Sequence, residues 1–98
     1  MDKYEILLKP SAVKDLDKIR KYNAAAIADG IEKFLEYEPA KESKSRIKKL
    51  KGIKNPDYRL RINDYRVFYT IDDTEKKVIV LRIMHKNQTV KYYKDIKK

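Results

Sequence analysis

The stretch YRLRINDYRVFYTID, residues 58–72, constrains the fold more than any other part of the sequence. Apolar and polar side chains alternate with a period of two on both sides of Asn63-Asp64, which is typical of half-buried β-strands. Asn and Asp both tolerate the positive φ that a two-residue type I′ turn needs. The stretch therefore predicts a β-hairpin with strands Tyr58–Ile62 and Tyr65–Asp72.

The register of this hairpin sorts its side chains onto two faces, because residues directly opposite each other share a face. One face carries only apolar and aromatic positions: Tyr58, Leu60, Ile62, Tyr65, Val67, Tyr69 and Ile71. Arg59, Arg61 and Arg66 lie on the other, with Arg61 opposite Arg66. Like charges placed opposite each other destabilise a sheet. The pattern therefore favours a phosphate-binding face over a chance arrangement.

The first half of the chain predicts a strand and two helices. The strand, residues 4–10, ends at Pro10, and Ser11 is a candidate N-cap for a helix that runs to about Lys21. A second helix ends at Pro39 and has the following apolar stripe: Ile27, Ile31, Phe34 and Leu35. Residues 40–56 are polar and basic, which predicts a connecting loop with a short helical turn at residues 46–50.

The last strand, Lys77–His85, follows a second hairpin loop, DDTEK. Ile79, Leu81 and Ile83 are expected to face the core, and strict alternation adds His85 unless the strand ends or bulges there. Residues 86–98 predict a basic tail or short helix. The order β-α-α-β-β-β predicts one α+β domain over residues 1–98. Two helices pack on one face of a mostly antiparallel four-stranded sheet, and the arginine-bearing face is left open.

The charge of the chain indicates an anionic partner. It has 25 Lys and Arg against 15 Asp and Glu, a net charge of +10. Residues 41–66 alone hold ten basic and three acidic residues, which favours nucleic acid over a uniformly solubilising charge. The absence of cysteine excludes disulfides, thiolate nucleophiles and cysteine-bound zinc. No signal peptide, membrane span or metal-ligand cluster is apparent, so we expect a cytoplasmic protein without a cofactor.

The available side chains suffice for metal-free RNA cleavage, in which the ribose 2′-OH attacks the adjacent phosphorus and the 5′-oxygen leaves. Arginines match the charge that develops on the phosphate oxygens. His85 has the one side chain whose ordinary pKa lies near neutrality, although a lone histidine is more often structural. Tyr92 and Tyr93 are candidates for base stacking, although packing is the simpler role for either. Four lysines are candidates to steer RNA, or simply form a solvated loop: Lys48, Lys49, Lys51 and Lys54.

Four stretches, in this order and spacing, resemble the RelE/ParE superfamily of type II toxins, and the RelE side most: PSAVKDLDKI, KKLKG, YRLRINDYRVFYTID and VIVLRIMHK. The resemblance covers nearly the whole chain and implies a toxin that cleaves messenger RNA in the ribosomal A site. It also implies neutralisation by a cognate antitoxin, which the charge predicts to use an acidic, amphipathic segment.

The resemblance also implies the site residues. The matching positions are the following: Arg59, Arg61, Arg66, His85, Lys86 and Tyr92. Where the family has lysine on the first hairpin strand, this chain has arginine, which stays protonated and is a poor base. His85 is then the candidate for one proton transfer and Lys86 the candidate acid.

Two other functions fit the same sequence. ParE-like members of the superfamily inhibit DNA gyrase by binding and are not nucleases, but they generally lack the basic set that this chain retains. A non-catalytic RNA- or ribosome-binding module would need only the positive charge.

Overall fold

The computed structural model describes residues 2–97, which form three α-helices, a 3₁₀ turn and one five-stranded sheet. In chain order the elements are β1 Glu5–Leu8, α1 Pro10–Asp17, α2 Lys21–Leu35, β2 Ile47–Lys49, β3 Tyr58–Ile62, β4 Tyr65–Asp72, β5 Lys77–His85, the 3₁₀ turn Lys86–Gln88 and α3 Thr89–Ile96. The strand order is β1-β5-β4-β3-β2; β1 runs parallel to β5 and the other neighbours are antiparallel. The predicted α+β class is confirmed. Within residues 2–97 no helix is long and apolar enough to cross a membrane.

The hairpin of β3 and β4 has the predicted register. Ile62 pairs with Tyr65 across the two-residue loop, and Arg61 pairs with Arg66. Of the two loop residues only Asn63 has a positive φ, 52°, so a type I′ turn, which needs two, does not form.

The core lies between the apolar sheet face and the helices α1 and α2. Leu60, Val67 and Tyr69 of the hairpin are fully buried there. Gly30 of α2 explains how closely helix and sheet approach, because a Cβ at this position would lie 2.6 Å from Cδ1 of Ile62. Glycine lowers the helix propensity of α2, but it allows α2 to pack more closely against β3.

The predicted four-stranded sheet was one strand short. Residues 47–49 form β2, paired with β3, where a loop and a helical turn at residues 46–50 had been predicted. Ile47 is buried, and the outer edge is bonded by residues before the strand: the backbone N of Ser43 donates to the carbonyl of Ile47, and the N of Lys49 donates to Oε1 of Glu42. These bonds satisfy an edge that would otherwise be unpaired.

A bulge in β5 changes which of its residues face the core. Phe68 pairs with Arg82 but Tyr69 pairs with Val80, so Leu81 is an extra residue. Val78 and Val80, rather than the predicted Ile79 and Leu81, are therefore fully buried. Ile83 does face the core as predicted, because the alternation restarts after the bulge.

Helix α1 begins and ends earlier than expected. Its N-cap is Lys9, with Pro10 in the first turn, so Ser11 is not the N-cap. The Ser11 hydroxyl instead donates to the carbonyl of Leu81, at 2.6 Å. The first two helices end at Asp17 and Leu35, short of the predicted Lys21 and Pro39.

The sheet face opposite the core is not fully open, contrary to the prediction. Helix α3 packs on it, with the rings of Tyr92 and Tyr93 centred 4.8 and 5.7 Å from that of Phe68. Phe68 is fully buried and Met84, on the same face, nearly so. The tail is thus a short helix anchored by aromatic contacts, and the arginines lie beside it.

Candidate nucleic-acid interface

Strands β2, β3 and β4 bring four basic side chains together on the face opposite the core, where Arg82 of β5 is instead bonded to Asp15. Arg59 and Arg61 come from β3 and Arg66 from β4. Lys48 of β2 is paired with Arg59 and so belongs to the same face. We call these four residues the arginine face. The period of two in the hairpin predicts that its three arginines share a face, and strand β2 adds Lys48 to that face.

Arg66 is the most constrained member of the arginine face. Its Nη1 donates to the carbonyls of Asn63 and Tyr65, at 3.1 and 3.0 Å. Partial burial lowers the pKa of its guanidinium, and the charges of Arg59 and Arg61 lower it further. An arginine keeps its proton at neutral pH regardless. The lowered pKa therefore reflects the partial burial of Arg66 first and the nearby charges of Arg59 and Arg61 second.

Arg59 has a donor that the protein does not satisfy. Its Nε is buried and has no acceptor among the described residues. A buried donor without a partner costs about 1–3 kcal/mol. A phosphate oxygen would supply the acceptor once the side chains that cover this Nε move aside, because the atom is not exposed at the face.

Lys86 lies at the end of the arginine face, beside the hairpin turn. Its backbone N donates to the carbonyl of Asp64 at 2.7 Å, and its Nζ lies 3.4 Å from Oδ1 of the same residue. The charge of Asp64 also acts on Arg66, where it offsets part of the lowering of the pKa. The structure thus brings Lys86 and the arginines to the same turn.

The two candidate tyrosines differ in their surroundings. Tyr92 is half-buried against Phe68 with the guanidinium of Arg82 5.7 Å from its ring centre, and burial raises the pKa of its phenol. Tyr93 contacts Phe68 through a ring edge and lies near enough to Arg66 to influence the pKa of that guanidinium. Of the two, Tyr93 lies beside the arginine face, whereas Tyr92 anchors α3.

His85 lies on the other side of the sheet. It is paired with Tyr65, and the two rings meet edge to face with centroids 5.5 Å apart. Its Nδ1 accepts a hydrogen bond from the backbone N of Asn87 at 3.1 Å, which caps the 3₁₀ turn. The structure therefore does not bring His85 to the arginine face, and its role in proton transfer stays a prediction.

The other predicted RNA contacts are spread out. Lys49 is paired with Tyr58 and faces away from the arginines, while Lys51 and Lys54 are exposed in the loop before β3. Phe68 was missed as a site residue, although the hairpin register places it opposite Arg59. An apolar side chain on an otherwise basic face was a usable signal for the helix that covers it.

In residues 2–97 no three His, Cys, Asp or Glu side chains are grouped so that they could hold a metal ion.

Comparison with known proteins identifies the family. Residues 6–90 match the family model described as ParE toxin of type II toxin-antitoxin system, parDE. No curated protein sequence gives a significant match.

Solved structures show the same fold. The RelBE2 toxin–antitoxin complex of Mycobacterium tuberculosis aligns at 27% identity and TM-score 0.71, covering 85% of this chain and 98% of the other. The archaeal RelE–RelB complex of Pyrococcus horikoshii OT3 aligns at 29% identity and TM-score 0.70, covering 88% and 98%. A free mutant of the E. coli toxin RelE, at 21% identity and TM-score 0.71, covers 96% and 94% and supports the fold alone. The family match, which spans most of the sequence, and the shared fold establish that the chain belongs to the ParE toxin family and is a type II toxin of the RelE/ParE superfamily.

Proposed function

We propose that this toxin is a RelE-type mRNA interferase, a ribosome-dependent endoribonuclease that cuts messenger RNA in the A site and so inhibits translation. The observation that carries the proposal is the arginine face. Three guanidinium groups belong to one sheet face, and Nε of Arg59 is buried with no acceptor among the described residues. A fold gains no stability from such an arrangement, whereas a phosphodiester is complementary to it.

The proposed reaction is attack of the ribose 2′-OH on the adjacent phosphorus, with loss of the 5′-oxygen. Negative charge develops on the phosphate oxygens in the transition state, and cations held in place beforehand stabilise it. Arg66, held by two carbonyls of the turn, and Arg59, whose buried Nε has no acceptor among the described residues, are the proposed partners of those oxygens. Arg61 is exposed and is proposed to bind the same phosphate or its neighbour.

For proton transfer, Lys86 is proposed in preference to His85. Lys86 lies at the turn that ends the arginine face and is proposed as the acid that protonates the leaving oxygen. His85 lies on the opposite sheet face, and its Nδ1 already accepts a hydrogen bond. No side chain of the arginine face is a strong base, so we expect slow cleavage of free RNA and faster cleavage where the ribosome orients the 2′-OH.

We also propose that a cognate antitoxin neutralises the toxin in the cytoplasm by covering the arginine face with an acidic, amphipathic segment. The net charge of +10 and its concentration in residues 41–66 support this, because an acidic partner is drawn to such a surface. The similar structures from M. tuberculosis and P. horikoshii are themselves toxin–antitoxin complexes.

The second candidate is a ParE-like inhibitor of DNA gyrase that binds without cutting RNA. The observation in its favour is the family model, which is that of the ParE toxin. The same basic face would then contact gyrase or its DNA.

One experiment separates the candidates. Translating ribosomes are incubated with the protein and the 5′ ends of the mRNA are mapped, in parallel with a gyrase supercoiling assay. Cuts in the A site that disappear in Arg61→Ala, but persist in the control Lys44→Ala, are the expected result. Lys44 is an exposed residue of the same basic segment and does not lie on the paired strands. Intact mRNA with blocked supercoiling would identify a gyrase inhibitor, and intact mRNA with normal supercoiling a binding module.

A further inference from the structure

A second basic site lies at the edge of the sheet, beyond the end of β1. A cavity of about 550 Å³ opens between the α1–α2 junction and the ends of β4 and β5. The lining residues that matter here are Lys18, Arg20, Asn23, Tyr65, His85 and Gln88. None of these six belongs to the arginine face, although Arg82 and Met84, which also line the cavity, point to that side of β5.

The charge of this cavity is positive. Among the described residues, Lys18 and Arg20 make no ion pair and are exposed. The other charged groups of the lining, Arg82 and Asp15, are bonded to each other at 2.8 and 3.1 Å. Asp15 also accepts a bond from the backbone N of Ile83. The single carboxylate is thus already engaged, and two cations are left for a ligand.

The neutral groups of the cavity are arranged as donors. Because Nδ1 of His85 accepts from Asn87, the neutral imidazole carries its proton on Nε2. The amide Nδ2 of Asn23 donates to the hydroxyl of Tyr65 at 3.4 Å, which leaves the phenolic proton free to donate. Two cations beside an N–H and an O–H are complementary to a phosphate group.

We propose that this cavity binds a phosphate group of the RNA strand whose scissile phosphate lies on the arginine face. The inference rests on the proposed function. Tyr65 and Arg66 are consecutive in β4 and point to opposite faces. Lys86 lies between the two sites, at the end of the sheet. A strand that passes around this end contacts the arginines on one side and Lys18 and Arg20 on the other.

His85 acquires a defined role in this arrangement. It donates from Nε2 to the bound phosphate and fixes the path of the strand, so it is a positioning residue. The same tautomer that caps the 3₁₀ turn provides this donor.

The first test is a titration with inorganic phosphate at constant pH, monitored by NMR. His85 is the sole histidine of the chain, so its imidazole signals are assigned without ambiguity. We expect them to shift and saturate. The shift should be lost in Lys18→Ala/Arg20→Ala and retained in Lys14→Ala/Lys21→Ala. The control pair removes two exposed cations from the same helices without touching the cavity lining.

The second test is the salt dependence of binding to a short 2′-O-methyl RNA, without ribosomes. Each lost phosphate contact reduces the magnitude of the slope of log K against log salt by about 0.7, so the variant that loses the one cavity phosphate should have a slope smaller by about 0.7. The slope for the control variant should change by less. Signals of His85 that do not respond to phosphate, or equal slopes for cavity variant and control, overturn the inference. Neither readout involves cleavage, so failure of the nuclease proposal would appear separately, in the mapped mRNA ends.

Discussion

At the scale of single residues, Arg61 and Arg66 form a like-charged pair but are held differently. Arg61 is exposed and its side chain makes no hydrogen bond among the described residues, whereas Arg66 donates to two turn carbonyls. We expect Arg61→Ala to leave the free energy of unfolding unchanged or to raise it by up to about 1 kcal/mol, because it relieves repulsion. Arg66→Ala should be less stable than Arg61→Ala, because each lost bond costs about 0.5–1.5 kcal/mol.

Both variants should lose toxicity, since both remove transition-state stabilisation. Thermal melting and growth after induction measure the two effects on the same proteins. An Arg61→Ala protein that is unfolded, or fully toxic while folded, would contradict the prediction.

The same residues show how far a sequence determines a site. The shared face of the three arginines follows from strict alternation around a two-residue loop. For the first half of β5 the sequence does not show which side chains face the core, because residues 78–81 are all apolar and either alternate set could be buried. The bulge at Leu81 then restarts the alternation, and only the pairing with β4 reveals it. Strict alternation already predicts His85 on the core side of the sheet, where the structure has it, and only the resemblance groups it with the arginines.

At the scale of elements, α1 depends on one carboxylate for its attachment to β5. Beyond Val80, β5 has no β1 partner, and Asp15 there accepts bonds from Nε and Nη2 of Arg82 and from the backbone N of Ile83. The carboxylate thus replaces the missing strand at an exposed sheet edge.

We expect Asp15→Ala to lower the free energy of unfolding by about 2–3 kcal/mol, because it leaves a backbone donor and a guanidinium unpaired. Asp15→Asn should lie in between, since the amide oxygen retains one acceptor. Asp17→Ala, at an exposed position of the same helix, is the control. Urea denaturation compares them, and equal midpoints for Asp15→Ala and Asp17→Ala would show that the carboxylate does not hold the helix.

The elements that the sequence did not predict are those that depend on tertiary contacts. β2 is three residues long, two of them lysines, so no periodicity can be read from it; pairing with β3 creates it. α3 is eight residues, too short to be stable alone, and the contact of Tyr92 and Tyr93 with Phe68 provides its stability. The long hairpin and α2, by contrast, could be predicted because the spacing of apolar residues in their own sequences indicates a strand pair and a helix.

At the scale of the whole molecule, a net charge of +10 should govern association with the antitoxin. We expect the association rate constant to fall steeply with ionic strength and the dissociation rate constant to change little. Arg59→Ala/Arg61→Ala should slow association more than Lys14→Ala/Lys21→Ala, although both remove two charges. Stopped-flow mixing measures the rates. A co-purified complex whose antitoxin contacts only α1 and α2, away from residues 59–66, would contradict the proposed docking.

The reaction itself is also a property of the assembled molecule, because ribosome, RNA and toxin must all supply part of it. If the nucleophile is the 2′-OH, the product carries a 2′,3′-cyclic phosphate or the 3′-phosphate formed by its hydrolysis. A single 2′-deoxy nucleotide placed 5′ of the scissile bond should abolish cleavage while binding persists, because only the attacking group is removed. Because His85 is proposed to position the strand, His85→Ala should weaken binding more than it slows the chemical step, and the reverse result would indicate proton transfer instead.

Two parts of this prediction need different substrates, free RNA for one and ribosome-bound mRNA for the other. Chelators dismantle ribosomes, so independence from divalent metal has to be measured on free RNA at high toxin concentration. The deoxy substitution belongs on ribosome-bound mRNA, where cleavage is expected to be fast. Efficient cleavage of the deoxy substrate, or a product ending in a 3′-hydroxyl, would exclude 2′-OH attack even in a toxin that proves to be a nuclease. The arginine face would then have to stabilise attack by water, a reaction for which the 2′-OH is irrelevant and DNA an equal substrate.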